Sequence, residues 1–547
     1  MTATASPSFP HHAPARVART RDRLGRVAAR AALAAASGLV LFAGFSPRPL
    51  WWLVPLAFAG LGLVLHGRRA WGAAGYGLVF GLAFNLTHLL WIQDFLGQEF
   101  GPAPWLALSA VMALFVASAC ALMPVVARLP AAPVWLALVF LLQEWARQRF
   151  PFNGFPWGRV AFSQPEGAYL SLASIGGAPL VGFAVLVTGF GLAHLLVRAR
   201  ATGWRPARSW RTPVVAVVLP PLVGLAVWPT IGTAAETGSR TVAVVQGNAP
   251  DAGIGLLGER ATIRENHFRQ SAELLDAIRA GEVPRPDLVV WPETATDVRG
   301  EDPELAALVD DFGVPALIGA LYRPPGSDLT ENATLAWRPG QGVVDHYVKR
   351  ELVPFAEYVP MREVARWFTP FVGNSQDMRW GTEPTTLDLA GTRLGSVICY
   401  EIAYDYVARD TVNLGANLLV TPTNNAWFGR GEMSHQQLAM SRVRAVEHGR
   451  AVVVAATSGV SAIVAPDGGV TRSTSLYTDT SLVSEVPLRE QATLSDRLGA
   501  WTEYALVGAA LAAVVAGFVL RSRSRGTAGR TDATEGEQHG GGDTAHG

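Results

Sequence analysis

Three residues of reactive type follow predicted strands in the second half of this 547-residue chain: Glu293, Lys349 and Cys399. A cysteine becomes a nucleophile when a base removes its proton or a cation stabilises its thiolate. Glu293, which closes the run LVVWPE, would supply the base. Lys349, in DHYVKRE, would stabilise the thiolate and then the oxyanion of a tetrahedral intermediate. The three residue types therefore fit covalent acyl chemistry at Cys399.

Each of these residues also fits an ordinary structural role. A free cysteine on an apolar strand such as RLGSVICYE commonly belongs to a hydrophobic core. A glutamate at a strand end is commonly a cap or a surface charge, and a lysine is commonly solvated. Spacing along the sequence does not by itself bring the three side chains together, so both interpretations stay open at this level.

The elements that would position the three residues form an alternation of short strands and helices. The strands are rich in Val, Leu and Ile without polar alternation, as in TVAVVQGNA at 241–249 and ANLLVTPTNNAWF after residue 415. Such strands are covered on both faces. We therefore predict an α/β sandwich of two packed sheets with outer helices over residues 236–500. Reactive side chains at strand ends would then lie in its loops.

The rest of the chain is apolar. Half of all residues are hydrophobic, only 16% are charged, and the mean hydropathy is +0.23, whereas a soluble domain carries about 25% charged residues. A helix needs about 20 apolar residues to cross a bilayer. Segments of about that length lie at 28–46, 50–66, 71–92, 104–127, 131–146, 169–197, 213–234 and 503–520. The sequence therefore predicts a multi-pass α-helical membrane domain with about eight transmembrane helices.

Arginines predict how these helices are oriented. Every second connection is basic, and the loop after the fifth segment, with Arg147, Arg149 and Arg159, is the exception. Because basic loops stay in the cytoplasm, both termini are expected there and the 236–500 domain on the opposite side. The predicted organisation is a cytoplasmic basic tail (1–27), seven membrane helices (28–235), the catalytic domain (236–500), the eighth helix (501–521) and a disordered cytoplasmic tail (522–547).

Composition excludes several classes of function. The 45 Lys and Arg residues against 44 Asp and Glu residues give a formal net charge of +1, which does not indicate a nucleic-acid partner. Two cysteines exclude a disulfide framework and a Cys-rich metal site. No cluster in the sequence implies a metal or an organic cofactor.

The succession WPET at 291–294, YVKRELVPFAEYVP at 347–360 and CYE at 399–401 resembles the nitrilase (carbon-nitrogen hydrolase) superfamily, whose triad is Glu, Lys and Cys. Placed between seven leading spans and one trailing span, these motifs resemble the apolipoprotein N-acyltransferase family of bacterial cytoplasmic membranes. Further segments match that family: QEWAR…GFPWGRVAFSQ (143–164), TPTNNAWFG (421–429), HQQLAMSRVRAVEHGR (435–450) and TSGVS (457–461). One departure is Asn425, where the family often has Asp, which affects local hydrogen bonding.

This resemblance implies an enzyme that transfers a fatty acyl chain. Cys399 would take the chain from a phospholipid as a thioester and pass it to the α-amino group of the diacylglyceryl-cysteine of an apolipoprotein. Glu293 would be the general base and Lys349 the oxyanion partner, without a cofactor. By the same resemblance Glu357 orients Lys349, a backbone N–H near Tyr400 assists the oxyanion, and Glu401 supports the turn that carries the nucleophile.

Aromatic residues suggest where the acyl chain approaches. The stretch 362–373, with Trp367 and Phe371, is too aromatic for an ordinary exposed loop and is predicted to form a lid at the bilayer interface. A packed core loop is the alternative. Trp157 and Trp427 are further candidates for lining the access route.

Two other functions fit parts of the sequence. A membrane-tethered amidase of the nitrilase type would resolve the thioester with water instead of an amine, but seven leading spans exceed what an anchor needs. A non-catalytic membrane scaffold or transporter would not need Glu293, Lys349 and Cys399 together, and a transporter would show paired charges or broken helices inside its spans.

Overall fold

The computed structural model describes residues 14–205, 208–250, 258–366 and 377–537. The α-helices in these ranges are α1 Pro14–Ala43, α2 Leu53–Leu65, α3 Ala70–His88, α4 Trp91–Phe100, α5 Ala103–Val126, α6 Ala132–Arg147, α7 Ala173–Ala201, α8 Arg211–Val227, α9 Arg260–Arg279, α10 Pro303–Phe312, α11 Arg362–Ala365, α12 Asp405–Asn413, α13 Met433–His448, α14 Leu494–Leu498 and α15 Trp501–Glu537. The strands are β1 Ser239–Gln246, β2 Leu288–Val290, β3 Thr296–Arg299, β4 Ala316–Arg323, β5 Glu331–Arg338, β6 Gly342–Val348, β7 Leu387–Leu389, β8 Thr392–Ser396, β9 Leu418–Thr423, β10 Val452–Ala456, β11 Ala462–Val464, β12 Val470–Ser473 and β13 Thr480–Pro487.

Several helices could span a membrane, as predicted. Among the described residues, five are long and apolar enough: Asp22–Ala43, Ala103–Val126, Leu170–Ala201, Arg208–Thr230 and Trp501–Arg523. A sixth arises if α3 and α4 form one broken span, since they meet at a bend of 79°. The apolar helix α2 has 13 residues, fewer than the ~20 that a straight span needs. The count of eight and the orientation stay predictions.

Two helices differ from the predicted segments. The segment 71–92 is not one straight helix, because α3 ends at His88 and α4 turns away to place Trp91 and Phe95 against Phe428, after β9. The last helix continues to Glu537, beyond the predicted end of the eighth span at residue 521, and the disordered tail stays a prediction. A helix that the apolar span has already nucleated gains one hydrogen bond for each residue added. Residues 538–547 of the predicted tail lie outside the described ranges.

The strands form two sheets in the described residues. The first has the order β13-β1-β2-β4-β5-β6, with β3 paired to β4, and the second the order β12-β11-β10-β9-β8-β7. The sheets face each other across a core that includes Val244 and Val290 from the first and Val420 and Val453 from the second. Helices α9 and α10 cover the outer face of the first sheet, and α12 and α13 that of the second. The predicted α/β architecture of two sheets is therefore confirmed.

The apolar helices and the sandwich share one hydrophobic core. A continuous buried cluster joins Phe58 and Val185 of the apolar helices with Tyr400 and Val443 of the second sheet's loops and helix. Helix α7 packs against α13 and α14, and its chain is non-helical at Gly176 and Gly177. A Cβ on Gly177 would lie 2.5 Å from a carboxylate oxygen of Glu447, so glycine permits this close approach. The apolar helices thus form part of the frame that holds the loops of the second sheet.

Candidate active site at the strand ends

The three reactive residues converge at one edge of the sandwich. Glu293 follows β2, Lys349 follows β6 and Cys399 follows β8. β2 and β4 are parallel, and β4, β5 and β6 are successively antiparallel, so β2 and β6 end at the same edge of the first sheet. β8 and β9 are parallel in the second sheet. Carboxyl ends of parallel strands are where α/β folds place their sites.

Lys349 lies between two carboxylates. Its Nζ is 2.8 Å from Glu293 Oε1 and 3.0 Å from Glu357 Oε2. All three side chains are buried, with 1% of Lys349 exposed. Asn332 Nδ2 donates to the same Glu293 oxygen at 2.7 Å and also to Glu357. The backbone N–H of Asn424 donates to the other oxygen of Glu293 at 2.8 Å, so both oxygens of this carboxylate are satisfied.

This pairing fixes the charges of the site. Burial alone would lower the pKa of Lys349, but Glu293 and Glu357 hold it well above its ordinary value. Burial would raise the pKa of Glu293, but the Lys349 charge and the bonds from Lys349, Asn332 and Asn424 hold it below 4.5. At neutral pH the site therefore holds an ammonium and an ionised carboxylate that can accept a proton.

The Cys399 thiol lies close enough to Glu293, Lys349 and Thr423 for all three side chains to affect its pKa. Burial, with the Glu293 charge added, raises the pKa of this thiol to about 12, although Lys349 opposes the change. The thiol is therefore protonated at rest, next to a base that is ionised. Lys349 lowers the pKa of this thiol, but its effect is smaller than that of burial. The arrangement favours proton transfer to Glu293 during attack.

Cys399 opens a short 3-10 helix, Cys399–Ala403, which we call the nucleophile turn. The φ angle of Cys399 is +51°, a conformation that costs about 1–3 kcal/mol for a non-glycine residue and persists only where its surroundings impose it. Glu401 supplies part of that constraint, because its carboxylate accepts bonds from Ile398 N at 2.7 Å and Arg350 N at 2.6 Å. Tyr347 Oη donates to it as well, at 2.9 Å.

Burial raises the pKa of Glu401 to about 7, although these donors favour its ionised form. The donors come from β6, from the loop after it, which carries Lys349, and from the residue before Cys399. Glu401 therefore connects the two loops of the site by hydrogen bonds, and its supporting role in catalysis stays a prediction.

The supporting and substrate-binding residues predicted from the sequence make contacts in different parts of the structure. Glu357 contacts Lys349 and accepts a bond from Val353 N at 2.6 Å. Tyr400 Oη donates to Gly154 O at 3.2 Å, in the loop between α6 and α7. Trp427 is half-buried, 5.8 Å from Phe95 between ring centroids.

Trp157 does not line an open route in this structure. It is 1% exposed, donates from Nε1 to Gln436 Oε1 at 2.6 Å, and its ring is nearly parallel to that of Tyr400. Its place is in the packed wall behind the nucleophile turn. Trp367 and Phe371 lie outside the described residues, so the lid stays a prediction.

Sequence reasoning missed the amide residues that complete the site. Asn332, in β5, binds both carboxylates, and Asn424 supplies the backbone donor to Glu293. An Asn within the apolar strand ENATLAW was the available signal, because a buried amide needs partners. Asn425 donates to Gln437 Oε1 at 2.8 Å, which gives the departure from the family pattern a local hydrogen-bonding role. Within the described ranges, no group of three or more His, Cys, Asp or Glu side chains could hold a metal ion.

A two-sheet sandwich with Glu, Lys and Cys at its strand ends defines a protein of the carbon-nitrogen hydrolase class. The profile of the carbon-nitrogen hydrolase family matches residues 241–494, and that of the apolipoprotein N-acyltransferase N-terminal domain matches residues 37–191. An amidase from Nesterenkonia sp. superposes with a TM-score of 0.35 at 18% identity, covering 49% of this chain and 98% of that one.

Relatives that match over most of the chain identify the family more specifically than the two profiles do. The chain is 34% identical to the apolipoprotein N-acyltransferase of Mycolicibacterium smegmatis over 528 residues, which cover 91% of this chain and 87% of that protein. It is 31% identical to the apolipoprotein N-acyltransferase of Azotobacter vinelandii over 495 residues, 86% of this chain and 91% of that protein. The chain belongs to the apolipoprotein N-acyltransferase family.

Proposed function

We propose that this protein N-acylates lipoproteins through a thioester on Cys399, with a phospholipid as donor and a diacylated apolipoprotein as acceptor. Acyl transfer in lipoprotein maturation is the activity that the family's name states. The observation that carries the mechanism is the buried pairing of Glu293 with Lys349, beside a thiol whose pKa the same carboxylate raises.

In the first half-reaction, the Cys399 sulfur attacks the ester carbonyl of the phospholipid while Glu293 takes the thiol proton. Lys349 stabilises the tetrahedral oxyanion, since its pKa keeps it charged throughout. Collapse breaks the ester C–O bond, and Glu293 returns the proton to the departing alkoxide. Lysophospholipid leaves and the acyl chain remains as a thioester.

In the second half-reaction, the neutral α-amine of the diacylglyceryl-cysteine attacks the thioester carbonyl. Glu293 accepts a proton from the amine and delivers it to the sulfur as the C–S bond breaks, which restores the thiol. Glu357 holds the Lys349 ammonium through both steps, because the two are 3.0 Å apart and Val353 N fixes the carboxylate from behind. A covalent intermediate predicts ping-pong kinetics.

Both substrates are lipids, which accounts for the apolar helices. We propose that eight spans hold the protein in the bacterial cytoplasmic membrane, with both termini in the cytoplasm and the site outside. Support for lipid access comes from large apolar side chains on the loops beside the site, where Phe355 is 65% and Met361 62% exposed. Exposed apolar side chains grouped next to a site indicate contact with a hydrophobic surface. The 362–373 lid would extend this surface.

The test is acyl transfer in detergent–phospholipid micelles. The purified chain is mixed with phospholipid carrying a labelled acyl chain and a synthetic diacylglyceryl-cysteine peptide. We expect label on the peptide amine, and none with Cys399→Ala. Release of labelled free fatty acid without labelled peptide would instead identify a hydrolase of the amidase type, and no turnover of label would contradict both.

A further inference from the structure

We infer that Arg159, in the loop between α6 and α7, is a positioning residue that fixes the nucleophile turn from the side of the membrane helices. The inference rests on the proposed function, since it concerns how Cys399 is presented to the acyl carbonyl. Arg159 does not contact Glu293, Lys349 or Cys399 by any bond in the described structure, and so acts through other residues.

A chain of charged contacts leads from Arg159 to the turn. Its guanidinium donates to both oxygens of Asp405, at 2.5 and 3.0 Å. Arg444 Nη2 lies 2.7 Å from the same carboxylate. Arg444 then donates from Nε to Ile402 O at 3.0 Å and from Nη2 to Ala403 O at 3.1 Å. These carbonyls end the nucleophile turn, so Asp405 connects the membrane-side loop to the backbone that carries Cys399.

The contacts are of a kind that fixes geometry. Arg159 and Arg444 are 2% and 0% exposed, and the two-bond pairing of Arg159 with Asp405 specifies orientation as well as distance. Burial would raise the pKa of Asp405, but the two guanidiniums hold it well below its ordinary value, so the carboxylate stays charged. Both guanidiniums also lie over the Phe162 ring, at 5.4 and 5.5 Å from its centroid.

The turn needs such a constraint at this end. Cys399 has a strained φ of +51°, and Glu401 holds the beginning of the turn through Ile398 N. Arg444 holds its end, and two carboxylates fix Arg444: that of Glu447 on its own helix, and that of Asp405, which Arg159 orients. An anchor that only tethered the catalytic domain would need no buried charge on this turn. The loop that carries Arg159 therefore belongs to the frame of the active site.

The experiment compares the full-length chain with three variants in detergent–phospholipid micelles. Arg159→Gln removes the charge, and Arg159→Lys keeps the charge but loses the two-bond geometry. The matched control is Arg149→Gln, which breaks an ion pair from the same loop to Glu503 of α15 and leaves the turn untouched. Three quantities are measured: the single-turnover rate of acylation of Cys399 against phospholipid concentration, the rate of iodoacetamide alkylation of Cys399, and thermal unfolding.

We expect Arg159→Gln to slow saturated acylation by about a hundredfold, the effect of a misplacement of about 1 Å. The half-saturating phospholipid concentration should change less than about twofold, because Arg159 does not bind substrate. The saturated acylation rate of Arg159→Lys should lie between those of Arg159→Gln and the native chain. The rate of Cys399 alkylation should change in both Arg159 variants. The control Arg149→Gln should have the acylation and alkylation rates of the native chain.

Native acylation and alkylation rates in a folded Arg159→Gln would overturn the inference while leaving the proposed function intact. If Arg159→Gln does not fold, Arg159→Lys decides: slower acylation supports the inference, and the native rate overturns it. If the native chain forms no acyl-enzyme, the proposed function fails, and alkylation then decides for Arg159: an altered rate supports the positioning role, and an equal rate contradicts it.

Discussion

Replacing Glu293 by Gln is expected to change two reactions of Cys399 in opposite directions. Glu293 is the base that receives the thiol proton, so acyl transfer should fall by about 10²–10⁴-fold, the usual contribution of a positioned general base. The same carboxylate is one cause of the high thiol pKa of about 12. Removing its charge should therefore make the free thiolate more abundant, and alkylation faster.

The expected increase in the alkylation rate follows from Coulomb's law. The Glu293 charge acts directly on the thiol pKa, and unit charges about 4 Å apart interact by about 4 kcal/mol at an effective dielectric constant of about 20. Since about 1.4 kcal/mol corresponds to a factor of ten, the thiolate fraction should rise by about a thousandfold. Lys349 remains charged beside the sulfur, because Glu357 still pairs with it. Alkylation by iodoacetamide should rise with the thiolate fraction.

The assay measures iodoacetamide alkylation of Cys399 between pH 6 and 9 and acyl transfer to a lipopeptide in the same preparation. The matched control is Glu273→Gln on α9, where the carboxylate is 56% exposed and pairs only with Arg269 among the described contacts. Both rates should be unchanged in the control. The reasoning would be refuted if Glu293→Gln retained acyl transfer within tenfold of the native rate, or if alkylation fell together with transfer.

Three further predictions concern the same buried network. Lys349→Met leaves two buried carboxylates without their cation and should lower the free energy of unfolding by about 3–5 kcal/mol, measured by denaturant titration in detergent; a loss below 1 kcal/mol would contradict the burial of the pair. The acylation rate in single turnover should decline twice as the pH falls: near pH 7, where Glu401 is protonated, and again below 4.5, where Glu293 is protonated, because its pKa is held below that ordinary value; a profile without the second decline would assign the base elsewhere. Ionised Glu293 also stabilises the fold. This contribution to the free energy of unfolding is present above pH 4.5, the ordinary pKa of the group, and is lost as the pH falls through its lower pKa in the folded protein. Glu401→Gln leaves one acceptor oxygen instead of two. Each backbone or hydroxyl donor near Cys399 that loses its partner should lower the free energy of unfolding by about 1–3 kcal/mol, measured as a lower melting temperature together with slower acylation. An unchanged melting temperature would show that Glu401 does not hold the turn.

Local sequence patterns predicted much of this architecture. Apolar runs identified helices that could span a membrane, and strands without polar alternation identified two covered sheets. The positions of Glu293, Lys349 and Cys399 at strand ends were readable from the sequence, but their convergence was expected only through resemblance to a family. The structure supplies the physical reason for it, since the three strands end at one edge of the sandwich.

Contacts between residues far apart in the chain could not be predicted from the sequence. Asn332 reaches Glu293 because β5 pairs with β4 in one register, and a shift by one residue would turn its side chain to the other face. Arg159 and Asp405 are 246 residues apart, and no local pattern relates them. The bend between α3 and α4 depends on aromatic contacts with the loop after β9. Each of these features depends on packing between distant segments.

The central claim is that Cys399 carries the acyl chain between two lipid substrates. Peptide mass spectrometry of the purified chain after incubation with phospholipid tests it most directly. We predict one acyl mass on the peptide that contains Cys399, absent in Cys399→Ala and discharged by a diacylated lipopeptide. An unmodified Cys399 peptide in a preparation that still acylates the lipopeptide would contradict the account.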